Sequence, residues 1–178
     1  MAISVERQTD GFTFFPYPPN HEDGRTNNGG FDLVQHPEQL DSIKELDGLP
    51  DIKRLVGRLN EPAGHFMTLG FEAGPQNNGF FGFLEFALRD PILSKKAGVY
   101  QRLANGFSDW IAKDYPEWNE AIATCTKVDV QGFHYHGAFH GDRTAFWFGA
   151  PDQAHFAMMV ELLGRFLLQT YVPEEPPG

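Results

Sequence analysis

Residues 64–171 write one pattern twice: two runs of β-forming residues joined by a turn, then a long helix with one apolar stripe. In the first copy the runs are 64–73 and 79–89, around a turn-rich Gly-Pro-Gln-Asn-Asn-Gly at 74–79. A helix over 91–114 follows, in which Tyr100, Leu103, Ala104, Phe107, Trp110 and Ile111 recur at helical spacing. In the second copy the runs are 122–139 and 143–148, read as meeting at a tight turn of His140, Gly141 and Asp142. The closing helix, 151–171, sets Phe156, Met159, Val160, Leu163, Phe166 and Leu167 on one face. Strands joined by so few residues pair antiparallel, and a striped helix needs a sheet face to cover. The prediction is an α+β fold: an antiparallel sheet of about four or five strands, built as two hairpins, each followed by a long helix packed on one face. The halves share no clear sequence identity, so the pattern repeats without marking a duplication.

Upstream, two short amphipathic helices are predicted. Pro37 and Pro50 suit first helical positions. Leu40, Ile43 and Leu46 follow the first, before Gly48; Ile52, Leu55, Val56 and Leu59 follow the second, before Pro62. Residues 1–30 read as an irregular arm, rich in Pro and Asn-Gly turn formers, with an edge strand at 12–15; the Pro/Glu-rich 173–178 read as a flexible tail. A chain of 178 residues is expected to form a single domain over 1–178.

Charge narrows the partners. The formal net charge is −10, and the first fifty residues alone hold nine acids against three bases. So acidic a chain is a poor binder of nucleic-acid phosphates. No apolar run reaches the length of a membrane span, and no leader-like start is visible, so a cytoplasmic location is expected. The single cysteine, Cys125, excludes an intrachain disulfide and a cysteine-built zinc site. It falls in a strand-like run and reads as a structural thiol. Neither a Gly-rich phosphate loop nor a Gly-x-Ser-x-Gly elbow is present.

The chemically dense stretch is 133–148. With the turn at 140–142, strand alternation sets His134, His136, Ala138 and His140 on one face with Arg143 and Trp147. Phe133, Tyr135, Phe139, Phe146 and Phe148 fall on the other. The same treatment of the first hairpin adds Glu72 and Glu85, among Phe81 and Phe83, to the histidine face. A face of this kind is too apolar to leave wet and too polar to bury unpartnered, so something covers it: the short N-terminal helices, a second copy in a homodimer, a partner protein or a ligand.

Two functional readings follow. The first is a non-enzymatic, acidic, cytosolic binding protein of the inhibitor or immunity type, engaging a basic protein through its negative surface and this face. The alternative is a metal-dependent enzyme or small-ligand-binding protein using His134, His136 and His140, with Glu85 or Asp142 completing a site for zinc or iron.

Overall fold

A computed structural model describes residues 3–9, 13–22, 27–96, 98–137 and 139–173. The frame is two long hairpins. Strands β3 (Phe66–Gln76) and β4 (Gly79–Leu88) are joined by Asn77 and Asn78. Both asparagines take positive φ, 45° and 65°, the backbone of a two-residue hairpin turn. Strands β5 (Thr126–Tyr135) and β6 (Phe139–Ala150) form the second hairpin, and β6 pairs antiparallel with β4. Two short strands from the chain's start, β1 (Ser4–Arg7) and β2 (Thr13–Phe15), line the outer edge of β5 in parallel. The sheet therefore has six strands, in the order β1-β5-β6-β4-β3 with β2 also on β5. That is more than expected, and its first edge is parallel.

The helices depart from the expected layout in three places. The region 91–114 forms two helices, α2 (Pro91–Lys95) and α3 (Val99–Asp114), because Lys96 turns extended. Asp90 caps α2, its carboxylate accepting from the N–H groups of Ile92 and Leu93. Residues 119–125 form a further helix, α4 (Asn119–Cys125), which takes in 122–125 of the expected strand, so Cys125 ends a helix and is exposed. Near the start, Pro37–Ser42 winds as a 3-10 helix, and Pro50–Leu59 is α1 as predicted. The final helix α5 (Gln153–Arg165), capped by Asp152, runs on into a π-helical turn, Phe166–Thr170. Of the expected flexible tail, 174–178 lie outside the described residues, as does Phe12 of the expected edge strand.

One face of the sheet carries the main core. Leu84 and Phe86 of β4, Val128 and Val130 of β5, and Phe146 and Phe148 of β6 meet the stripes of α3 and α5. Phe146 stacks on Phe86 at 5.7 Å and meets Phe107 of α3 edge-on at 6.0 Å. Phe156 of α5 sits against Phe148, and α1 contributes Ile52, Leu55, Val56 and Leu59 to the same core.

Candidate functional site

The position of the second hairpin's turn decides which side chains share a face. The strand ends at His136 and Gly137, whose φ values of 47° and 69° lie in the left-handed region. Tyr135 therefore faces Phe139, and His134 faces His140. The expected turn at 140–142 is straight strand. Its glycine serves close packing: a Cβ on Gly141 would sit 2.7 Å from Ser94 Oγ and 3.0 Å from the Phe133 ring. Moving the turn slips the pairing by an odd number of residues, and an odd slip exchanges faces.

The expected histidine face is corrected accordingly. His134 and His140 emerge on the helix-covered side, in line with Val128, Val130, Phe146 and Phe148. Arg143 and Trp147 lie on the opposite side with Phe133, Tyr135 and Phe139. His136 joins neither group; it stands in the turn, with Nε2 2.8 Å from Asp32 Oδ2. The three imidazoles do not meet, so the expected three-histidine zinc or iron centre does not assemble. No cluster of three or more His, Cys, Asp or Glu able to hold a metal occurs among the described residues. Ala138 lies outside them.

Four of the seven expected residues do share the second face. Glu72, Phe83, Trp147 and Lys127 form one row across β3, β4, β6 and β5. Beside it, Arg143 pairs with Glu85, their side chains only 14% and 11% exposed, and donates to Gln131 Oε1.

The half of this face nearest the hairpin turn is roofed by the N-terminal arm. Phe15 forms a second small core with Met67, Leu69, Ala87 and Phe133, and Tyr17 and Val34 pack on it. Asp32, 3% exposed, fastens the roof. Its Oδ2 accepts from the Tyr135 hydroxyl at 2.7 Å, and its Oδ1 accepts the N–H groups of Val34 and Gln35 at 3.2 Å each. Sequence reasoning missed Asp32, because partners about a hundred residues away leave no local signal.

Burial pushes the Asp32 carboxyl up, but the bonds from Tyr135, His136 and Gln35 outweigh it and hold the group below the usual carboxylate range. A depressed carboxylate contributes stability above its unfolded value of about 3.9, and loses it as pH falls through the lower folded value. Asp32→Asn is expected to loosen the arm already at neutral pH. The amides of Gly30 and His136, bonded to the Tyr17 and Phe15 carbonyls, should lose hydrogen-exchange protection at pH 7. Protection equal to that of the parent would show that the arm is held by apolar contact alone.

The other half of the face is open. Phe81 is 40% exposed and stacks on Trp147 at 5.6 Å, and Trp147 meets Phe83 at 4.4 Å. A groove of about 450 Å³ runs beside these rings, lined by Phe81, Cys125, Thr126, Lys127, Asp129 and Trp147. Carboxylates edge it: Glu72 is exposed on β3, and Glu6 lies beside Asp129 across β1 and β5. Lys127 stands between them, 2.9 Å from Glu6 and 3.6 Å from Asp129. Trp147 Nε1 and Thr126 Oγ1 are buried with no hydrogen-bond partner among the described residues, a cost a core would not normally leave standing.

No family model, curated protein or solved structure matches the chain.

Proposed function

We propose that this chain is a non-enzymatic binding protein that engages a basic protein through the open half of its second face. The observation that carries the reading is the pairing there of an aromatic floor, Phe81, Phe83 and Trp147, with a carboxylate edge of Glu6, Glu72 and Asp129. Lysine and arginine side chains are the natural occupants, since a cation gains from ring faces and carboxylates together. The overall charge of −10 draws such a partner in from a distance and makes encounter salt-sensitive. No membrane is involved in this reading: no helix among the described residues is long and apolar enough to cross one.

The test uses a tetra-arginine peptide and a tetra-glutamate control, titrated calorimetrically against the full chain. The arginine peptide should bind, with affinity falling at least tenfold between 20 mM and 200 mM salt, on the order expected for exposed charges crossing a Debye length. Phe81→Ala and Trp147→Ala should each weaken it at least fivefold, whereas Glu161→Gln on the distant face of α5 leaves it unchanged. Equal binding of both peptides, or indifference to Phe81 and Trp147, would overturn the reading. The metal-dependent alternative keeps support from one observation only, the pair of histidines on the opposite face.

A further inference from the structure

The helix-covered face carries a ladder of rings at its turn end. Phe14 of β2, His134 of β5 and His140 of β6 are neighbours in register across three strands. Phe14 is 63% exposed and lies nearly parallel to the His134 ring, with centroids 4.8 Å apart and planes 16° off. His134 and His140 meet edge to face with centroids 4.0 Å apart. We propose that His134 and His140 form a two-histidine site for a divalent transition metal of tetragonal preference, copper(II) first.

The argument begins with register. Directly opposed residues on antiparallel strands hold their side chains side by side, so one ion can reach both rings without any movement of the backbone. Distance selects the ion. With a metal–nitrogen bond of about 2.0–2.1 Å, each ring centroid stands roughly 3.2 Å from the ion; two cis ligands at a right angle then lie about 4.5 Å apart and tetrahedral ones about 5.2 Å. The observed 4.0 Å needs a small opening for the first geometry and a much larger one for the second. Neutral imidazoles suit copper, and copper(II) heads the divalent affinity order. Phe14, stacked on the far side of His134, holds that ring in place. The remaining coordination positions stay open to water or to an incoming donor. Asp142 lies next along the same face of β6, but Arg7 holds its carboxylate through two bonds of 2.8 and 2.9 Å.

Copper(II) titrated into the full chain tests the site, read by calorimetry and by the nitrogen splittings of the bound-copper paramagnetic resonance spectrum. One ion should bind per chain with two nitrogen ligands. His134→Ala and His140→Ala should each lower affinity at least tenfold and remove the two-nitrogen signature. Phe14→Ala should weaken binding a few-fold, and His136→Ala should leave it within twofold. Full binding by His134→Ala or His140→Ala, or a loss on His136→Ala comparable to theirs, would overturn the assignment. All four positions are at or near the surface, so thermal melts near the parent's should certify that the variants fold. The site lies on the opposite face from the aromatic groove, so its failure and the failure of basic-peptide binding are separate results.

Discussion

Arg143→Met is expected to lower the unfolding free energy by about 3–5 kcal/mol, and Arg143→Met combined with Glu85→Leu to restore most of that loss. Both side chains are largely buried, between the arm and the sheet. The Tyr17 hydroxyl is close enough that burial raises it while the Arg143 charge draws it back down. Removing the guanidinium alone leaves the Glu85 carboxylate in a low-dielectric site without its counter-charge, and that uncompensated charge is the larger part of the cost. Removing both charges eliminates the desolvation penalty along with the attraction, so apolar replacements of similar size recover the balance. Urea midpoints of the parent, the two single variants and the double variant close the cycle. A single variant within 1 kcal/mol of the parent would mean that water reaches the pair beneath the arm.

The second large effect separates two adjacent residues. Phe146→Ala is expected to cost about 3–5 kcal/mol, whereas Trp147→Ala, at the next position of the same strand, costs less than half as much. Phe146 is fully buried and joins three elements, touching Phe86 on β4 and Phe107 on α3 from its place on β6. Its truncation leaves a cavity that a sheet and a helix already in close contact cannot collapse to fill. Trp147 is larger, yet it lies on the open half of the other face, and its indole N–H is buried with no hydrogen-bond partner among the described residues, so part of what it gains from burial is already offset. Comparable denaturation losses for the two variants would contradict the assignment of faces.

Much of the architecture was legible because it rests on period. The stripes of α3 and α5 and the alternation within 122–139 and 143–148 each need a partner surface, and together they point to helices on one face of a mostly antiparallel sheet. The Asn77-Asn78 turn was legible for the same reason as any Asn-rich hairpin: asparagine accepts positive φ. What misled was a glycine with two uses. Gly141, set between His140 and Asp142, has the signature of a turn, but its missing side chain makes room for Ser94 and Phe133. His136 and Gly137, read as strand, turn instead. Since one odd slip exchanges faces, the single error parted the pair Arg143 and Trp147 from the pair His134 and His140. The residues of β2 are legible as an edge strand, but β1 and the parallel pairing of both are not, for a different reason. Four and three residues long, they owe their conformation to the edge they complete, more than a hundred residues away.

That edge has a consequence for how the chain is made. Ser4 pairs with Lys127 and Phe14 with His134, so β1 and β2 leave the ribosome before β5 and wait for it, roughly 6–25 s at ordinary elongation rates. Once β5 emerges, its strip-forming segments are already at hand, and its outer row of amides is capped before it can recruit a strand from another nascent chain. Moving β1 and β2 to a place after β5 would reverse that order and leave the edge bare until they emerged.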